Sequence, residues 1–128
     1  IGAGSVAGNS CEFKNSLLFD SVEAPHYNYV GDSILGYHAH MGAGSITSNI
    51  KSDRKNIVIR TDDGAIETGL RKIGAILGDY VEIGCGTVLN PGSIVGKNTM
   101  IYPLTSVRGP VPANSIVKSA EEVVIKRT

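Results

Sequence analysis

From Leu77 to Val107 an aliphatic residue returns at every sixth position. The run reads Leu77-Gly-Asp-Tyr-Val-Glu, Ile83-Gly-Cys-Gly-Thr-Val, Leu89-Asn-Pro-Gly-Ser-Ile, Val95-Gly-Lys-Asn-Thr-Met, Ile101-Tyr-Pro-Leu-Thr-Ser, then Val107. Glycine follows the opening residue in three of the five hexads, and the fifth place is always Val, Thr or Ser. A helix repeats its apolar residues at intervals of three and four, and an amphipathic strand at two. A sustained period of six fits neither. It fits a parallel β-helix, in which each hexad is one short strand plus a turn and three hexads close a triangular coil. The opener points inward and stacks on its counterpart in the next coil. Turn glycines supply backbone angles that a Cβ forbids, and small or β-branched residues at the fifth place suit a pleated wall. A sandwich of evenly spaced strands is the alternative, and it would show two-residue alternation.

The same register runs upstream through Phe13, Leu18, Ala24, Val30, Leu35, Met41 and Thr47, with five-residue steps at Phe13 to Leu18 and at Val30 to Leu35. The chain opens in mid-register on Ile1-Gly-Ala-Gly-Ser-Val. Solenoids cap their ends, so an upstream segment, as large as a whole domain, is expected to precede residue 1. The predicted organisation is a single domain: an all-β parallel β-helix over residues 1–118 with a β-hairpin arm at about 50–72, then a tail over 119–128 compatible with helix or strand. Pro110 and Pro112 exclude a helix before that tail and suit a turn that closes the last coil.

The arm is read from Ser48 to Lys72, where the register is lost. Asn56-Ile-Val-Ile-Arg-Thr and Ala65-Ile-Glu-Thr flank Asp62-Asp63-Gly64, a strong hairpin signal. Lys51, Arg54, Lys55, Arg60, Arg71 and Lys72 surround it. They read either as a solvated loop or as a clamp for a phosphorylated ligand.

Composition narrows the partners. No Trp, two Phe and five Tyr suit a narrow prism filled by aliphatic stacks. A formal net charge of zero argues against a nucleic-acid surface. No apolar run reaches the length of a membrane span, so no membrane partner is expected. Cys11 and Cys85 make no disulfide framework and occupy wall or turn places. With no visible signal peptide, a reduced, cytoplasmic setting is the expectation.

The segment Ala24-Pro-His-Tyr-Asn-Tyr keeps the spacing but carries aromatic and imidazole groups where wall residues should be small. A repeat that breaks its composition while keeping its register marks a candidate site. From His26 to Asn49 the chain contains His-x-x-Tyr-hydrophobic-Gly-Asp, then Gly-Ala-Gly-Ser-Ile-Thr-x-Asn. This resembles the acetyltransferase domain of bifunctional sugar-1-phosphate nucleotidylyltransferases, the glucosamine-1-phosphate N-acetyltransferase (GlmU-like) family. The arm followed by Thr68-Gly-Leu-Arg-Lys-Ile-Gly-Ala-Ile-Leu-Gly is more similar to the archaeal-type branch.

The resemblance implies a left-handed β-helix, against the usual hand of parallel crossovers, assembled as a homotrimer with the active site between subunits. It implies acetyl transfer from acetyl-CoA, the co-substrate, to the amine of an amino-sugar 1-phosphate. His26 falls on the family's base, and imidazole suits that task because its unperturbed pKa is about 6.5. Lys14 falls on the lysine that binds phosphate or sugar. Tyr29 matches a tyrosine that binds the sugar phosphate, and Asn49 matches an asparagine at the ligand or acetyl end. His40 departs from the pattern: it stands where the bacterial branch has a sugar-holding asparagine. Cys85 falls near the thioester region, and Arg108 and Lys118 fall where CoA phosphates would pass. Uridylyl transfer, with its Mg2+, would belong to the missing upstream domain.

Two other readings are open at this stage. One is a non-catalytic β-helix that trimerises or regulates a nucleotidylyltransferase. The other is a trimeric β-helix zinc hydrase using three histidines. His38 and His40, two residues apart, do not match the His-x4-His pairing of such enzymes.

Overall fold

The computed structural model describes residues 1–127. Among the described residues seventeen short strands wind into three walls and two more form an arm, with no helix. The first wall holds β1 (Val6–Asn9), β4 (Glu23–His26), β7 (His40–Met41), β12 (Glu82–Ile83), β15 (Met100–Ile101), β18 (Ser115–Ser119) and β19 (Glu122–Ile125). The second holds β2 (Glu12–Lys14), β5 (Tyr29–Gly31), β8 (Ile46–Thr47), β13 (Val88–Leu89) and β16 (Ser106–Val107). The third holds β3 (Leu17–Leu18), β6 (Ile34–Leu35), β11 (Ala75–Leu77), β14 (Ser93–Val95) and β17 (Pro110–Val111). The chain visits the walls in turn, and every pairing between coils is parallel, as in Ile83 opposite Met41 on one side and Ile101 on the other.

The core is the column of hexad openers. Leu18, Leu35, Met41, Leu77, Ile83, Leu89, Val95 and Ile101 are all at most 2% exposed. Phe13 is half-buried and packs against the end of that column. Thr47, the one polar opener, is fully buried and donates from Oγ1 to the carbonyl of Tyr29 at 3.3 Å. The fifth place has a sharper role than filling a wall. Its hydroxyls turn into the corner and bond a carbonyl three residues earlier: Ser45 to Gly42 at 2.7 Å, Ser93 to Asn90 at 2.6 Å, Thr105 to Tyr102 at 2.7 Å. A buried carbonyl left unpaired costs roughly 1–3 kcal/mol, so Ser and Thr here satisfy the turn they help to form.

Each corner needs a left-handed residue. Glycine serves at Gly44, Gly86, Gly92 and Gly109, but Tyr27 (φ 52°), Asp32 (φ 50°), His38 (φ 60°) and Leu104 (φ 59°) take it as well. Close stacking also demands glycine directly after the strands: a Cβ on Gly84 would overlap the backbone of Pro103 in the next coil.

The arm interrupts the corner between the second and third walls. Strands β9 (Val58–Thr61) and β10 (Gly64–Glu67) pair antiparallel, Thr61 opposite Gly64, with Asp62 and Asp63 as the turn. The positive φ falls on Gly64 (138°), after the turn. Ile57 anchors the arm, 1% exposed, beside Gly92. The coil re-enters at Gly74, whose N–H bonds the carbonyl of Asp32 at 2.8 Å.

Past Val107 the coil continues rather than closing. Pro110 opens β17, the outermost strand of the third wall, where a missing N–H is tolerated. The tail forms β19, which pairs antiparallel with β18.

Candidate functional site

The motif Tyr29-Val-Gly-Asp32 builds a polar cluster on the outer face of the second wall. Alternation along β5 turns Tyr29 outward while Val30 enters the core. Gly31 then leaves the space that the Tyr29 ring occupies: a Cβ there would overlap Tyr29 Oη and crowd Asn49 Nδ2. Asn49 Nδ2 donates to Tyr29 Oη at 3.1 Å and to Asp32 Oδ2 at 2.7 Å. Asn15 Nδ2 donates to Asp32 Oδ1 at 2.7 Å. Tyr29 Oη therefore accepts from Asn49 and keeps its own proton for an incoming acceptor. Lys14 lies opposite Gly31 and Glu12 opposite Tyr29, so an exposed ammonium and a carboxylate flank the phenol.

His26 ends β4 at the corner between the first and second walls, three residues ahead of Tyr29. It is exposed, and its imidazole makes no hydrogen bond among the described residues. Its backbone is fixed instead. Its N–H donates to Asn28 Oδ1 at 3.2 Å, and its carbonyl accepts from Gly44 N–H at 3.0 Å. Asn28, 2% exposed, locks this corner, with Nδ2 reaching the Gly42 carbonyl at 2.9 Å and the Ser45 carbonyl at 3.0 Å.

His40 projects from the first wall instead. Its Nδ1 lies 3.0 Å from Glu82 Oε2, on the strand opposite it in register. The pair lines a groove of about 420 Å³ with Gly42, Gly84, Cys85, Met100, Tyr102 and Pro103. Gly42 and Gly84 form its floor, where side chains would strike the next coil. His38 belongs elsewhere, stacked on Tyr80 at 5.3 Å.

Arg108 lies at the corner between the second and third walls, in a cleft beneath the arm with Lys51 and Arg60. Lys118 sits on the first wall, 3.9 Å from Glu122. Of the residues singled out by sequence, Tyr29 and Asn49 are in direct contact, with Lys14 adjacent. His40 and Cys85 share the groove. Arg108 and Lys118 stand apart from each other. Sequence reasoning missed Asp32, Asn15, Asn28, Glu12 and Glu82. Asp32 and Asn28 lay inside the quoted motif. Glu82 and Asn15 become visible only once the coil register is known.

Among the described residues no group of three or more His, Cys, Asp or Glu side chains is placed to hold a metal ion. Among the described residues no helix is long and apolar enough to cross a membrane.

No family model matches the chain. It is 34% identical over 120 residues to the bifunctional protein GlmU of Methanococcus maripaludis, a match covering 94% of this chain and 29% of that protein. It is 34% identical over 96 residues to a bifunctional sugar-1-phosphate nucleotidylyltransferase/acetyltransferase of Sulfurisphaera tokodaii, covering 75% of this chain and 24% of that one. The chain thus spans less than a third of the length of either of these two relatives. Among solved structures, a mutant of GDP-perosamine N-acetyl transferase from Caulobacter crescentus, in complex with CoA and GDP-perosamine, superposes with a TM-score of 0.72 at 18% identity. That match covers 99% of this chain and 50% of the other. The acetyltransferase domain of PglB from Neisseria gonorrhoeae superposes with a TM-score of 0.67 at 18% identity, covering 91% of this chain and 47% of that one. The fold they share is the left-handed β-helix, which gives the hand that the six-residue period leaves open. Over nearly its whole length, the chain is a homologue of the C-terminal, hexapeptide β-helix part of the GlmU-like bifunctional proteins.

Proposed function

We propose that the chain is an acyltransferase domain that moves an acetyl group from acetyl-CoA to the amine of an amino-sugar 1-phosphate of the glucosamine-1-phosphate type. The observation that carries this reading is the Tyr29–Asn49–Asp32 cluster with Lys14 beside it. A phosphate monoester calls for a cation and a hydroxyl donor held in place. Lys14 supplies the first. Tyr29 supplies the second, with its oxygen pinned by Asn49 so that its proton points away.

The phosphate end then fixes the sugar along the second wall, toward His26. An amine attacks a thioester carbonyl only through a free lone pair. In this scheme the His26 imidazole takes the N–H proton as the C–N bond forms. The C–S bond breaks, and the proton leaves with the departing thiolate as free CoA thiol. His40, oriented by Glu82, borders the acceptor. The groove past Cys85 takes the thioester arm. Sites on two different walls meet most simply when the first wall of one copy faces the second wall of another, as in a homotrimer. Uridylyl transfer, and its Mg2+, belong in this scheme to a separate upstream domain.

The test is direct: protein mixed with acetyl-CoA and glucosamine-1-phosphate is expected to release free thiol. No release on glucosamine- or galactosamine-1-phosphate from an assembled oligomer would favour the non-catalytic, trimerising role. A finer prediction separates binding from chemistry. Tyr29→Phe removes the phosphate donor and is expected to raise the acceptor KM by roughly tenfold, with kcat little changed. Gly31→Ala displaces the whole ring and should exceed it.

A further inference from the structure

A buried amide stands between the corner that carries His26 and the floor of the groove beside His40. At the corner between the first and second walls, the fifth place of the hexad forms a column from coil to coil: Cys11, Asn28, Ser45, Thr87 and Thr105. Ser45 and Thr105 each bond a carbonyl of their own corner, Gly42 and Tyr102, both at 2.7 Å. Thr87 bonds the Tyr102 carbonyl of the next coil at 3.1 Å. All three hydroxyl residues are buried. The corner therefore closes on a serine or a threonine, and the turn itself does not require asparagine in the coil that carries His26.

What asparagine adds is reach. A hydroxyl has one proton to donate, whereas an amide has two, plus a separate acceptor. Asn28 spends them across two coils. Its Oδ1 accepts the His26 N–H at 3.2 Å in its own coil. Its Nδ2 donates to the Gly42 carbonyl at 2.9 Å and to the Ser45 carbonyl at 3.0 Å in the next. Its backbone is tied to the coil before: its N–H donates to Cys11 Sγ at 3.2 Å, and its carbonyl accepts the Glu12 N–H at 2.9 Å. The side chain is buried, so water competes little for these bonds. The imidazole of His26 has no such anchor. It is exposed and makes no hydrogen bond among the described residues, so the ring stands where the backbone held by Asn28 puts it. Gly42, at the far end of the amide, belongs to the floor of the groove that Cys85 lines.

We propose that Asn28 is a positioning residue for His26: it fixes the backbone beneath the imidazole at a set distance from the coil that floors the groove. This rests on the acyl-transfer reading, in which His26 is the base and the groove takes the thioester arm. A reacting group misplaced by about 1 Å can lose about 10² in rate. Binding of the phosphate end does not pass through the amide, because Asn28 makes no bond to Lys14, Asn49 or Asp32 among the described residues. Loss of the amide therefore falls on kcat and spares the acceptor KM.

Asn28→Ser tests it, since serine already closes the same corner one coil on, at Ser45. Thiol release from acetyl-CoA and glucosamine-1-phosphate is expected to show kcat lowered by roughly tenfold to a hundredfold, with the acceptor KM little changed. Asn28→Thr, the residue type at 87 and 105, should match it and takes its place if the serine variant does not fold. Ser115→Ala breaks a comparable buried bond on another corner, 2.6 Å to the Pro112 carbonyl. It should lower the unfolding midpoint and leave kcat at the wild-type value. Crystal structures of the wild-type chain and of Asn28→Ser give a second readout: the His26 Cα should shift against Gly42 by about 1 Å. A kcat unchanged in both Asn28 variants, a loss that Ser115→Ala reproduces, or a corner that superposes without displacement overturns the proposal. Absence of thiol release from the wild-type chain is instead a failure of the acyl-transfer reading, and the displacement of His26 then decides by itself whether Asn28 sets its place.

Discussion

Replacing His26 with alanine is expected to slow acetyl transfer by about 10²–10⁴, the usual worth of a positioned general base. The loss should fall on kcat, with the acceptor KM little changed, because in the proposed scheme Lys14 and Tyr29 would still hold the phosphate. The fold should be untouched. The imidazole is exposed and makes no hydrogen bond among the described residues, while the corner is held by backbone groups and by Asn28. Steady-state kinetics with a thiol reagent, beside an oligomer measurement, check both parts. A decrease smaller than about tenfold would shift the base to His40, whose Nδ1 already faces a carboxylate as a base–orienter pair requires.

Leu89→Ala is expected to destabilise the coil stack by about 2–5 kcal/mol, the range for emptying a buried leucine site. Leu89 is fully buried on β13 between Thr47 and Val107, its partners in the coils before and after. Neighbours in a rigid prism cannot collapse into the gap, so the cost should lie toward the upper end. A coil touches only its neighbours, so the damage should centre on β8, β13 and β16. Denaturant unfolding at fixed protein concentration gives the size of the effect. Hydrogen exchange at Val88 and Asn90, whose N–H groups bond Thr105 and Val107 carbonyls, gives its location.

The register was legible because it is repeated. Thirteen openers between Phe13 and Val107, read straight from the chain, are the residues that fill or flank the core column. The arm was legible too, since Asp62-Asp63-Gly64 sits between two β-rich runs, although the left-handed angle falls on Gly64 itself. What escaped was anything set by the stacking of coils. Glu82 reaches His40 across 42 residues of sequence, and only the inserted arm makes that separation differ from one coil. Asn15 and Asp32 likewise fall in line with Asn49 at a spacing of 17 residues, one coil apart, yet in the sequence these two pass for ordinary turn residues. The tail was undecided because its partner, β18, had first to be recognised as a strand despite two nearby prolines. The separation of Arg108 from Lys118 had the same cause: ten residues apart in the chain, they fall on different faces of a triangle.

The reversal at β19 has one more implication. A column of like-directed strands can be lengthened indefinitely by whatever is laid on its last rung, since each rung is a template for the next. On the first wall that rung is already taken by a segment running the opposite way, so no further like-directed strand can be laid directly on β18, whereas β16 and β17 stay the outermost strands of the other two walls.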